Sequence, residues 1–244
     1  MSILGIDIGG SGIKGAPADL QAGRLAMDRH KVLTPQPATP AAVVAAAAGL
    51  AREFAPAERY GVAVPAVVKD GIALTAANID PEWIGCEIGR MLAVALGAPV
   101  TVLNDADAAG LAEMRYGAGR DEPGTVVMLT FGTGIGSAVF LDGRLVPNTE
   151  LGHMEVRGKE AEHRAAAQVR KNEGLSWSKW AGRVSEVLGV LDSLLWPDLF
   201  IIGGGVSRKA DKFMPLLECR TRVVPATLGN DAGIVGAALA AARD

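Results

Sequence analysis

Two segments of this chain share one plan: GIDIGGSGIKGA at 5–16 and TVVMLTFGTGIGSAVF at 125–140. Each is an apolar run that ends in a glycine-rich turn and resumes as a second apolar run, which fits a buried strand folding back on its neighbour. The repeat is short, yet it divides the 244 residues into two halves, each opening on the same strand–turn–strand unit. The segment GAGRDEPG at 117–124 combines three glycines, a proline and three charges, and is the best boundary. The expected halves are 1–118, completed by a C-terminal helix over about 231–244, and 119–230.

Composition narrows the function classes. The chain is 49% hydrophobic and 21% charged, as expected of a globular protein and not of a disordered one. A net charge of -3 gives no global basic field, so no nucleic-acid partner is expected, although a local basic groove is allowed. Cys86 and Cys219 lie far apart without metal-ligand spacing, which points to a reduced, cytoplasmic setting. The opening MSILGIDIGG has no basic region and its apolar run is cut by Asp7, unlike a signal peptide. The uncharged stretch 41–51 is about half the length of a membrane span. It reads as an Ala-rich helix over 40–54 with Thr39 as cap and Pro40 in first position.

Further along, 60–68 is strand-like with a bend at Pro65. Asp80 and Pro81 resemble the cap and first turn of a helix over about 82–96. Residues 99–103 form a strand running into Asn104, Asp105, Ala106 and Asp107, followed by a helix to about Tyr116, with Asp107 as a candidate cap. Helices are expected at about 160–171 and 176–195, a strand at 198–202 ending in Gly203, Gly204 and Gly205, and a last helix over about 231–243.

The glycine turns can hold phosphate. Glycines let the backbone approach an anion and aim several N–H groups at it. Ser11, Thr130 and Thr133 add hydroxyl donors, Lys14 adds a positive charge, and Asp7 could hold a hard cation through water. Any one such loop also reads as a tight hairpin and nothing more. Two at matching places, with a third cluster at 203–205, argue for an anion cradle. Neither turn is a Walker A loop or a Rossmann fingerprint, because a strand follows each.

Asn104 and Asp105 follow a buried strand, where α/β sheets place reactive groups. An Asp there can take a proton from a hydroxyl attacking phosphorus, and it equally reads as a helix cap. Glu150 and His153, three apart in ELGH, meet on one face of a turn. Both suit vicinal sugar hydroxyls, which donate and accept. A lone His also reads as an ordinary surface or core residue.

With these residues in view the sequence resembles the ROK family of sugar kinases over nearly its whole length. The anchors are IDIGGSGIKG (6–15), TAANIDPEWIG (75–85), LNDADAAGLAEMRYGAG (103–119), LTFGTGIGSA (129–138), VPNTELGHMEV (146–156) and WPDLFIIGGGVSRKADKF (196–213). NTELGH and WPDLFIIGGGVS resemble the polyphosphate-using branch. The resemblance implies an actin-like α/β fold of two RNase H-like halves with a cleft between them. It implies transfer of a phosphoryl group from inorganic polyphosphate, ATP or both to the 6-hydroxyl of glucose, with Asp105 as general base. Sugar contacts fall on Asn104, Glu150, His153 and, by KEAEHRAA, Glu162, which otherwise reads as part of a solvated helix face. Donor contacts fall on Asp7, Gly9, Gly10, Ser11, Gly12 and Lys14; on Thr130, Gly132, Thr133, Gly134 and Gly136; and on Gly203, Gly204, Gly205, Arg208 and Lys209. Mg²⁺ would accompany the donor near Asp7, and a homodimer is implied.

Three departures matter. Residues 154–175 contain no cysteine, so the zinc motif found in most relatives is missing and no structural zinc is expected. Ala66 stands where many relatives have glycine, and Ala166 where a serine is frequent. The competing readings are an ATP-dependent glucokinase or glucomannokinase, a polyphosphate hydrolase, and a sugar-responsive regulator. A regulator would carry a DNA-binding segment ahead of the first strand.

Overall fold

The computed structural model describes residues 2–76 and 79–243. Ala77 and Asn78, within the TAANIDPEWIG motif, lie outside the described residues. Two compact units emerge: Met1–Ala112 with Asp231–Asp244, and Glu113–Asn230.

The first unit runs β1 (Ile3–Gly9), β2 (Gly12–Asp19), β3 (Arg24–Leu25), β4 (His30–Val32), α1 (Pro40–Ala51), β5 (Arg59–Val64), β6 (Val68–Lys69), β7 (Ile72–Ala73), α2 (Ile88–Leu96), β8 (Val100–Asn104) and α3 (Asp105–Tyr116). Its main sheet has the order β3-β2-β1-β5-β8, with β4 also on β2. The β1–β2 pair is antiparallel, while β1, β5 and β8 are parallel.

The second unit runs β9 (Thr125–Phe131), β10 (Ile135–Leu141), β11 (Arg144–Val146), β12 (Glu155–Val156), β13 (Lys159–Glu160), α4 (Ala161–Ala165), α5 (Ala167–Asn172), α6 (Trp177–Leu195), β14 (Leu199–Gly203), α7 (Ala210–Phe213) and β15 (Arg222–Pro225). Its sheet order is β11-β10-β9-β14-β15. Again an antiparallel hairpin, β9–β10, leads into parallel strands. The echo between 5–16 and 125–140 is therefore the opening hairpin of one sheet plan used twice, the plan of the actin-like α/β fold.

The chain then returns to the first unit as α8 (Ala232–Arg243). It packs against β5 so closely that a methyl group on Gly61 would sit 1.8 Å from the Ala237 carbonyl oxygen. Ile3, Ala238 and Ala241 are buried together there, as are Ala63, Ala108 and Ala237. On α1, Thr39 accepts the N–H of Ala42, and Pro40 opens the helix where its missing N–H costs nothing. In the second unit α6 buries Trp180, Ala181, Val184, Val187, Leu188 and Leu191 at helical spacing. Each buried Val or Leu of that stripe contributes about 1.5–3 kcal/mol. Among the described residues no helix is long and apolar enough to cross a membrane.

Three local expectations are corrected. The helix expected over 82–96 is a short 3-10 turn, Pro81–Trp83, followed separately by α2. Gly85 takes a positive φ of 81°, and its N–H and the Cys86 carbonyl bond to Ala73, so that backbone is committed elsewhere. The helix expected over 160–171 breaks at Ala166, whose ψ of 150° is extended. There the Ala165 carbonyl accepts the Trp180 indole N–H at 2.8 Å, and Gln168 N–H donates to Gly132. The cap of α3 is Asn104 rather than Asp107: its side-chain oxygen accepts the N–H groups of Ala106 (2.8 Å) and Asp107 (3.1 Å).

Candidate active site

In the first unit, Gly10 and Ser11 form the exposed two-residue turn between β1 and β2. Asp7 lies opposite Lys14 in the ladder, and the Lys14 ammonium donates to its carboxylate at 3.2 Å. The turn is braced from β4's side of the sheet, where the Thr34 hydroxyl donates to the Gly9 carbonyl at 2.6 Å. Thr34 is buried, and nothing in its sequence neighbourhood marks it.

At the end of β8, Asn104 is buried and links two of the positions singled out above. Its amide caps α3 and donates to the Ala66 carbonyl at 3.3 Å. Asp105 follows as the first residue of α3, half-buried, with one carboxylate oxygen 2.8 Å from the N–H of Ala106. A carboxylate in a first helical turn is stabilised by the unpaired N–H groups there.

In the second unit the β9–β10 hairpin is the hub. Thr130 ends β9 opposite Gly136, and Gly132, Thr133 and Gly134 form the turn, closed by Gly132 N–H to Gly134 O at 3.0 Å. On one flank, Glu162 accepts the N–H of Ile135 at 3.3 Å. The Glu150–His153 turn packs there too, with Leu151 N–H bonded to Ser137 of β10. On the other flank Gly203 pairs with Thr130, and Gly204, at φ 79°, lies over Phe131. A methyl on Gly204 would come within 2.5 Å of the Phe131 carbonyl, so only glycine fits. Phe131 itself is held edge-on by Trp180, at 5.7 Å between ring centroids. Ser207 closes the third turn by donating to the Gly204 carbonyl at 2.9 Å, and Arg208 and Lys209 follow it, exposed.

His153 sits among carboxylates. Its Nε2 is 3.8 Å from Glu150, and its Nδ1 is 3.2 Å from Glu160. The Glu160 hydrogen bond, reinforced by Glu162 and Glu150 and opposed by partial burial, raises its pKa above the ordinary imidazole value. Burial, with the charge of Glu162, raises the Glu150 carboxyl, while His153 partly offsets this. The His153 imidazole is thus oriented by Glu160. Glu162 is not a solvated helix residue either, since only 15% of its side chain is exposed. His153, Glu160 and Glu162 also offer ligand atoms within 4.8 Å of one another, enough to receive a divalent cation.

The structure therefore gathers Glu150, His153 and Glu162 around one hairpin and sets the second and third glycine turns side by side. Asp7, Lys14 and Gly9–Gly12 form their own cluster in the first unit. Glu160 and Thr34 were invisible to the sequence reading, because their partners are set by strand pairing and not by spacing.

Residues 3–169 match the ROK family. The chain is 58% identical to the polyphosphate glucokinase of Mycobacterium tuberculosis (strain CDC 1551 / Oshkosh) over 242 residues, covering 99% of this chain and 91% of that protein. Among solved structures, the inorganic polyphosphate/ATP-glucomannokinase of Arthrobacter sp. strain KM is 48% identical and superposes with a TM-score of 0.96, covering 99% of this chain and 98% of the other. The ROK family glucokinase of Streptomyces griseus, in complex with glucose and AMPPNP, is 27% identical with a TM-score of 0.85 and full coverage, 100% of both chains. A repeated hairpin-led sheet with these motifs along it is the family's pattern, and the chain belongs to the ROK family.

Proposed function

We propose that this chain is a polyphosphate glucokinase, transferring a phosphoryl group from inorganic polyphosphate, and from ATP as a second donor, to the 6-hydroxyl of glucose. The carrying observation is the cluster of Glu150, His153 and Glu162 fastened to the same hairpin whose glycine turn faces the third glycine loop. Sugar-binding groups and an anion cradle then share one rigid element. The relatives named polyphosphate glucokinase support this reading.

Asp105 takes the proton of the sugar 6-hydroxyl as the new O–P bond forms, and the bond from phosphorus to the donor's bridging oxygen breaks. Asn104, Glu150, His153 and Glu162 bind sugar hydroxyls and fix their orientation. The three glycine turns, with Lys14, Thr130, Thr133, Arg208 and Lys209, hold the donor. Mg²⁺ would screen the donor oxygens. The fit is a sparse one: Asp7 offers a single carboxylate, already bonded to Lys14, which suits an ion that keeps waters and arrives on phosphate. The protein acts in the cytoplasm as a homodimer.

One coupled assay tests the reading, with glucose and mannose each offered ATP and polyphosphate. Glucose 6-phosphate from polyphosphate is expected. Loss of polyphosphate without glucose would indicate a hydrolase, and transfer from ATP alone an ordinary glucokinase. The structural likeness to the glucokinase bound to AMPPNP is what keeps ATP as a donor. One zinc per chain on metal analysis would count against sugar contact by His153.

A further inference from the structure

We propose that Lys31 is a phosphate-binding residue of the first glycine turn, holding the anionic donor alongside Lys14; this rests on the phosphotransfer reading above. Lys31 lies on β4 directly opposite Lys14 on β2, and Lys14 in turn lies opposite Asp7 on β1. Cross-strand partners point to the same face, with Cβ atoms about 4.5–5.5 Å apart. The three side chains thus form one row across three strands, beside the Gly9–Gly12 turn.

The Lys31 stem is seated on that turn. A methyl group at Gly12 would come to 2.6 Å from Lys31 Cε and 3.4 Å from its ammonium nitrogen. The missing side chain at position 12 is therefore the space Lys31 occupies. Charge makes the arrangement costly without a ligand, because like charges directly opposite each other destabilise a sheet. Asp7 neutralises Lys14 alone. The neighbours of Lys31 are both taken, Arg29 by Asp231 and His30 by Glu53, whereas Lys31 has no carboxylate partner among the described residues. The row carries one surplus positive charge next to backbone N–H groups, which suits a phosphate-rich anion.

Lys31→Met keeps the stem over Gly12 and removes only the charge. The KM for polyphosphate, or for ATP where that donor is used, is expected to rise about tenfold, the effect of one charge-assisted hydrogen bond, with KM for glucose unchanged. The slope of log KM for polyphosphate against log salt should become shallower by about 0.7–0.9, as for one lost phosphate contact. Lys31→Arg should restore both. Unchanged donor KM and salt slope in Lys31→Met overturn the proposal. Should the wild type transfer phosphate to no sugar, the phosphotransfer reading fails separately. Calorimetric binding of tripolyphosphate then decides on Lys31: weaker binding by the Met variant supports it, and equal affinity overturns it.

Discussion

The buried carboxylate of Glu113 accepts the backbone N–H of Thr227 at 2.9 Å, across 114 positions of sequence. The same carboxylate also accepts the N–H groups of Leu228 (2.7 Å) and Ala118 (2.8 Å). One side chain thus satisfies the backbone of two loops that would otherwise be left with unpaired donors. Removing it leaves three part-buried N–H groups without that partner, each costing up to about 1–3 kcal/mol. Glu113→Ala is expected to lower unfolding stability by roughly 3–5 kcal/mol, with Glu113→Gln retaining part of it, as read from urea unfolding midpoints.

Asp105→Asn keeps the shape of the side chain and removes its basicity. The expected result is a kcat lower by about 10²–10⁴ with KM for glucose little changed. A variant turning over at near wild-type rate would remove Asp105 from the role of general base.

Gly204 and Gly205 are adjacent but not equivalent. Gly204 combines φ 79° with the Phe131 backbone at 2.5 Å from an added methyl, whereas Gly205 has open space. Gly204→Ala carries about 1–3 kcal/mol of backbone strain before that contact is counted. It should lower Tm and raise the donor KM, while Gly205→Ala leaves Tm near wild type. Equal behaviour of the two variants would show that the third turn does not depend on its shape.

The pairing of His153 with Glu160 makes a pH prediction. Its folded-state pKa lies above the ordinary 6.5, so its contribution to stability is fully present below that pH. The contribution is lost as pH rises through the raised folded value. Glu160→Gln should bring the His153 titration, followed by proton NMR, back toward 6.5 and shrink the low-pH gain in Tm. An unmoved titration midpoint would mean that Glu160 does not orient the ring.

What could be read ahead of the structure was local. The Thr39–Pro40 helix start, the two strand–glycine–strand hairpins and the Glu150–His153 turn each depend on residues within a few positions of one another. The misses have distant causes. The breaks at 84–87 and at Ala166 arise because Ala73 and the Trp180 indole take backbone groups that a helix would have used. Glu113, Glu160 and Lys31 acquire meaning only from strands and loops remote in sequence. Asn104 was singled out for sugar, yet its capping bonds to Ala106 and Asp107 and its hold on Ala66 came with the fold.

The return of α8 to the first unit sets an order on synthesis. The second unit is continuous from Glu113 to Asn230, so on the ribosome all its strands are synthesised before α8. Until α8 follows, Ile3 and Ala63 lack the Ala237, Ala238 and Ala241 side chains that complete their burial. The half of the protein made first is thus the last to be finished, and a nascent chain stalled just short of Ala232 presents the α8-facing side of its sheet to chaperones and proteases.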